Sequence, residues 1–397
     1  MNTTRRIKIK ILNPVIVTLV LALSAMISAT LAQAQCTTVL SGLLTPLGSV
    51  LSDQGNLIIS ETGTPDLNSG RISIVDPRGN RRTLIDGLPS AIDDVGGPSG
   101  PSGIVMGGRN LYVLIGAGDV GIPGPRMGST LENPNGPSSP IFSSVLLMHF
   151  GAATEKHTSG FTLSAEDQAT LANGGTVTLS NGPRDKITIR KVVDFENFIP
   201  FPLPDVPDNI QLSNPYGLVA LDGLLYVTDG GRNLVWQVDP STGAYSQLAS
   251  FPDIPNPLFP TLGGPTLQAV PTGITARYHQ LFVTLFRGFP FPSGTSTVEQ
   301  IDPVTGSDTQ FIGGLTAAID IFALKSAAAQ NYYILQYASA DVLGGAGMVL
   351  QFTDPAGPPT VLADCVTAPT SMTLDKPTDT LFVTQNDGSL IAIPFQR

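Results

Sequence analysis

Short runs of apolar, β-branched and aromatic residues alternate along the chain with polar turns, and one phrase keeps returning. A Pro-x-Gly or close variant opens an apolar strand, a short turn follows, and a second strand runs back. The copies begin at Pro46-Leu47-Gly48, Pro101-Ser102-Gly103, Pro215-Tyr216-Gly217 and Pro271-Thr272-Gly273, with a degenerate fifth at Ile319-Asp320-Ile321 and a sixth at Pro369-Thr370-Ser371. Their second strands read Leu57-Ile58-Ile59, Leu111-Tyr112-Val113, Leu225-Tyr226-Val227, Leu281-Phe282-Val283, Tyr332-Tyr333-Ile334 and Leu381-Phe382-Val383. A spacing of roughly 50 residues, carried by strand-forming residues, is the signature of a β-propeller.

The later part of each unit repeats as well. Asp-Pro turns stand at Asp76-Pro77, Asp239-Pro240, Asp302-Pro303 and Asp354-Pro355, where Asp accepts local N–H bonds and Pro presets φ. They read as hairpin punctuation and not as a catalytic or calcium set. A fourth strand follows, as in Thr83–Leu88, Gln310–Leu315 and Thr360–Cys365, but the sixth unit ends one strand short. Thr38–Leu43 has the fourth-strand pattern, so the expected fold is all-β: a six-bladed propeller in which an N-terminal strand completes the last blade. Closure of that kind removes an exposed sheet edge.

Blade two is longer than the rest. Val145–Phe150 reads as its third strand and Ile187–Val193 as its fourth, with a decorated insertion at about 151–185. Within it, Ser164 followed by Glu166 and Asp167, with Asn173-Gly174 at the end, predicts a helix.

The first residues form an address. Arg5, Arg6, Lys8 and Lys10 precede an apolar run from about Val15 to Ala32, which ends in Ala32-Gln33-Ala34. This is the order of a signal peptide over 1–34, cleaved to leave a mature propeller over 35–397 with no membrane anchor and a periplasmic or extracellular destination. Without the four basic residues, 17 Lys and Arg face 31 Asp and Glu, a net charge of −14. An acidic surface repels phosphate backbones, so nucleic acid is not an expected partner.

Export permits a disulfide between Cys36 and Cys365. The repeat alignment argues against it, since Cys365 falls in register with Leu43, Leu88 and Leu315 and reads as a buried apolar residue. Cys36 lies seven residues before Leu43, roughly 23 Å along an extended strand, so a bridge requires the N-terminus to fold back. Gly116-Ala117-Gly118-Asp119-Val120-Gly121 matches a dinucleotide glycine pattern, but Pro123 and Pro125 forbid the helix such a site needs. His149, His157 and His279 show no metal-ligand spacing.

A site is expected where the fourth-to-first and second-to-third connections gather around the channel. Candidate ligand-binding residues there are Asp119, Asp229, Arg232, Arg287, Phe289 and Phe291. The loop Asp229-Gly230-Gly231-Arg232-Asn233 suits either a cation or oxygen-rich ligand, or simply a tight hairpin. Arg287-Gly288-Phe289-Pro290-Phe291-Pro292 suits either an apolar lip that recognises a planar or anionic group, or a lid packed over the channel.

Ser213-Asn214-Pro215-Tyr216-Gly217-Leu218, Tyr226–Gly231, Val270–Ile274 and Gly288–Pro292 together resemble the ScyD/ScyE family of secreted, propeller-like proteins, named for the scytonemin gene cluster. The resemblance extends over the mature chain and implies an exported propeller; the lack of a catalytic constellation and the aromatic-Pro lip add the expectation that it binds a small molecule or protein partner at the channel face. A more distant resemblance is to NHL-repeat and gluconolactonase-like six-bladed propellers. It implies an alternative, a metal-dependent lactonase whose divalent cation (calcium or zinc) would be held by Glu61, Asn214 and Asp320.

Overall fold

The computed structural model describes residues 35–325 and 330–395. The expected signal peptide lies outside them. Six antiparallel sheets form the blades of a propeller ring. Blade one comprises Pro46–Leu51, Leu57–Glu61, Gly70–Val75 and Arg81–Leu88, and blade two Pro101–Gly107, Asn110–Ile115, Ser144–Phe150 and Lys186–Asp194. Blade three runs from Pro215 to Ser250, blade four from Pro271 to Leu315 and blade five from Ala318 to Val366. In each, chain order is also sheet order.

Blade six consists of Pro369–Asp375, Thr380–Gln385 and Leu390–Pro394, and its fourth strand is Thr37–Leu40. The register Thr37↔Ala392, Thr38↔Ile391 and Leu40↔Leu390 closes the ring between the two ends of the chain, as the repeat pattern requires. Apolar residues from neighbouring blades interleave: Val113 and Leu146 of blade two pack in one core with Ile74 and Leu84 of blade one. Phe282 and Val298 of blade four likewise meet Ile334 and Leu350 of blade five.

The Cys365 expectation is overturned. Cys36 and Cys365 form a disulfide with Cα atoms 6.2 Å apart, joining the outermost strands of blades six and five. The repeat alignment was displaced by one residue. Val366, paired with Gly347, holds the slot that Leu88 holds opposite Gly70 and Leu315 opposite Ser296, and it is fully buried. Cys365 is exposed, because a one-residue slip along a strand exchanges its two faces.

The blade-two insertion stitches two blades together. Its helix Ala165–Ala172 is capped by Ser164 in a capping box with Asp167. Phe161–Thr162 adds a fifth, parallel strand to blade one beside Ile85 and Asp86, and Thr176–Ser180 adds a fifth strand to blade two. The buried carboxylate of Glu155 receives Ser52 Oγ, Gln54 Nε2 and Asn56 Nδ2 from blade one.

Candidate functional site

The recurrent glycine is explained at the axis. The innermost strands approach so closely that a Cβ on Gly48 would lie 2.6 Å from the Ser102 carbonyl oxygen of blade two. A Cβ on Gly103 would strike the Tyr216 carbonyl of blade three, one on Gly217 the Thr272 carbonyl of blade four, and one on Gly273 the backbone of Ile319 and Asp320 in blade five. The glycines are a ring of backbone contacts.

Blade five breaks the pattern. Ala318 opens its inner strand as Pro271 opens that of blade four, so Asp320 occupies the glycine slot. Its carboxylate spans the gap to blade six: Oδ2 accepts from Met372 N at 2.8 Å, and Oδ1 from Ile321 N at 2.8 Å. Burial pushes its pKa up to about 7, the two N–H bonds opposing only part of that rise. Tyr216, at the middle position of the blade-three phrase, has a buried hydroxyl without a hydrogen-bond partner among the described residues. Burial raises its pKa, and the neighbouring Asp320 and Tyr337 raise it further. Tyr216 thus lies within electrostatic reach of both Asp320 and Tyr337.

The other expected metal ligands are committed elsewhere. Glu61 is fully buried, and Arg71 approaches it from both sides, Nε at 3.1 Å from Oε1 and Nη2 at 2.5 Å from Oε2. Leu44 N and Ser73 Oγ supply further bonds to the same carboxylate. Asn214 Oδ1 accepts from Ala117 N at 3.2 Å. Glu61 thus does not fit the role of a free ligand, and among the described residues no group of three His, Cys, Asp or Glu side chains is placed to hold a metal ion.

Asp229 is also turned inward. Completely buried, it accepts from Ser213 Oγ (2.6 Å), Asn214 N (2.8 Å), Trp236 Nε1 (3.0 Å) and Arg232 N (3.1 Å). Burial raises its pKa against the pull of those four donors. Arg232 lies 5.9 Å from the Trp236 ring centroid and 3.8 Å from Glu196 Oε2. This loop has the bonding of a tight hairpin. Asp119 Oδ1 caps Ser138, accepting from its N at 2.8 Å and its Oγ at 3.0 Å.

The Phe-Pro segment is ordered by its neighbours. Arg287 is only 6% exposed, and its Nε donates to Thr295 O at 3.0 Å, closing its own loop. Phe291 meets Phe286 at 5.7 Å and Phe289 at 6.0 Å, while Phe286 contacts Tyr337 at 5.8 Å. Pro290 O accepts from Val342 N, and Ser293 bonds Asp341 through both N and Oγ. Pro290 also sits against Gly263, where a Cβ would come within 2.8 Å of Pro290 Cδ. Three connections are thereby joined into one wall with Phe259, Phe289 and Val342 left exposed at 52%, 40% and 50%.

Phe259, Val342 and Tyr337 escaped the sequence reading. Phe259-Pro260 in a Pro-rich connection repeats the Phe289-Pro290 signal and was legible; Val342 and Tyr337 carry no such mark. Tyr216 stands where Ser102, Thr272 and Thr370 stand in other copies, but their hydroxyls have partners in neighbouring strands and its own does not.

Fold and site together define a six-bladed propeller with an aromatic wall on its channel face. Among solved structures, the chain is similar to a gluconolactonase from Xanthomonas campestris, with 13% identity, 93% of each chain covered and a TM-score of 0.50. It is also similar to virginiamycin B lyase from Staphylococcus aureus, with 14% identity, 91% of this chain and 99% of that one covered, and a TM-score of 0.44. No family model matches the chain, and no curated protein matches it.

Proposed function

We propose that the chain is an exported propeller of the ScyD/ScyE type that binds a planar, apolar ligand, free or displayed by a partner protein, against the wall of Phe259, Phe289 and Val342. The observation that carries this reading is the fixed exposure of those side chains while Arg287 is withdrawn beneath them. Large hydrophobic residues held out of the core by a bonded framework offer apolar area to a ligand without a prior ordering cost. The net negative charge supports a neutral or cationic ligand over an anionic one.

The lactonase alternative requires a cation held partly by Glu61, and the Arg71 guanidinium already occupies both of its oxygens. The test is titration of residues 35–397 with a neutral aromatic probe, N-phenyl-1-naphthylamine, followed by fluorescence. Saturable binding that weakens about tenfold in the Phe259→Ala, Phe289→Ala double variant is expected. Binding unchanged in that variant, or turnover of glucono-δ-lactone on addition of calcium or zinc, would overturn the proposal.

A further inference from the structure

The opposite end of blade two carries a feature unlike the rest of this acidic chain. A cavity of about 390 Å³ there is lined by Arg109, His149, Arg184, Lys186 and Thr188, with Phe150–Ala152 and Pro183 completing the wall, and by no carboxylate. The strand register explains the convergence. Asn110, His149 and Thr188 stand side by side on three adjacent strands, and Lys186 lies two residues from Thr188 on the same face. Arg109 precedes Asn110 at the hairpin, and Arg184 lies in the turn just before Lys186, lining the same cavity. Asp185, between them in sequence, does not line the cavity and accepts from Asn181 Nδ2.

The cavity wall is built by the backbone. Gly151 N donates to Lys186 O at 2.7 Å and Ala153 N to Arg184 O at 2.9 Å, drawing the turn after Phe150 onto the strand. A side chain at Gly151 would prevent it, since a Cβ there falls 2.6 Å from Arg184 O.

The cations are also unspent. Arg71, Arg78, Arg126, Lys191 and Arg232 have carboxylate partners, and Arg81, Arg82, Arg190 and Arg287 donate to carbonyls. Arg109, Arg184 and Lys186 make no side-chain hydrogen bond or ion pair among the described residues. His149 Nδ1 is 2.7 Å from Asn110 Oδ1, an acceptor, so Nδ1 carries the hydrogen and Nε2 faces outward. Three like charges line the cavity with no carboxylate in its wall, and an oxyanion would relieve their mutual repulsion through guanidinium forks and an ammonium.

We infer that this cavity is a binding site for a tetrahedral oxyanion, phosphate or sulfate, either free or as the head of an ester. Its volume exceeds what a bare ion fills, and its open side admits an organic substituent.

The experiment is calorimetric titration of residues 35–397 at low ionic strength with inorganic phosphate, sulfate and phenyl phosphate. Saturable binding at one site is expected, weakened at least tenfold in Arg184→Ala, Lys186→Ala and unchanged in Arg78→Ala, whose charge lies on the Asp76-Pro77 turn of blade one. A tenfold preference for phenyl phosphate assigns the ester, and equal or weaker binding of it assigns the free ion. No saturable binding of any of the three, or full retention in the double variant with an unchanged melting temperature, overturns the inference.

Discussion

Cys36 and Cys365, 329 residues apart in sequence, are covalently joined across the outer strands of two neighbouring blades. The bond lies beside the N-terminal strand that closes the ring, so it backs a non-covalent closure with a covalent one. A cross-link enclosing nearly the whole polypeptide removes much of the freedom of the unfolded chain.

Cys36→Ser is therefore expected to lower stability by about 2–5 kcal/mol. Thermal unfolding with and without reductant checks this: the wild type should lose several degrees on reduction and the variant none. Equal melting of both under oxidising conditions would show that the strand pairing alone holds the ring.

Glu61 and Arg71 form a buried pair in blade one, with side chains 0% and 15% exposed. Removing one partner leaves the other charge without compensation, so Glu61→Ala should cost about 3–5 kcal/mol in urea unfolding. The double replacement Glu61→Leu, Arg71→Met should recover most of that loss. A near-neutral Glu61→Ala would contradict the structural role assigned to this carboxylate.

Asp320 makes stability depend on pH in a defined direction. Its native pKa of about 7 is above the ordinary value of 3.8, so between those limits the folded protein holds a proton that the unfolded chain releases. The carboxyl's contribution is most favourable below about pH 4, falls as pH rises to about 7, and is level beyond. Asp320→Asn keeps an oxygen for Met372 N and cannot ionise. Its stability relative to wild type should rise between pH 4 and pH 7, as followed by urea unfolding at several pH values; a constant difference would refute the assignment.

Gly217 and Gly107 provide a matched pair. A Cβ on Gly217 would collide with the Thr272 carbonyl, whereas one on Gly107 meets nothing within 4 Å. Gly217→Ala should destabilise by about 1–3 kcal/mol or more, as overpacking does, while Gly107→Ala should be within about 0.5 kcal/mol of wild type. Chemical denaturation of the two variants measures the contrast.

The blades were legible because the same local chemistry is repeated in every unit: Pro and Gly punctuation with period-two apolar strands. The insertion was legible only in part. Its helix announced itself through Ser164 and Asp167, but Phe161-Thr162 is too short a strand to be visible before blade one offers it an edge. Among the expected site residues, Phe289 stands in the exposed wall and Phe291 packs behind it, while Glu61, Asp229 and Arg287 face inward. Polarity at a connection shows that a side chain can bond a ligand, but not whether the fold has already supplied its partner.

Sequence alone determined the blade repeat, the pairing of the N-terminal strand with the last blade and the acidic balance of the chain, since each follows from residue type and spacing. Tertiary structure decided what no spacing encodes. It put Asp320 in a slot that glycine fills in four other blades, turned Cys365 outward by one step of strand register, and gathered three unpaired cations at the foot of blade two. The first depends on the approach of blade five to blade six, the second on strand pairing within blade five and the third on strand pairing within blade two, and none of these is set by residue spacing alone.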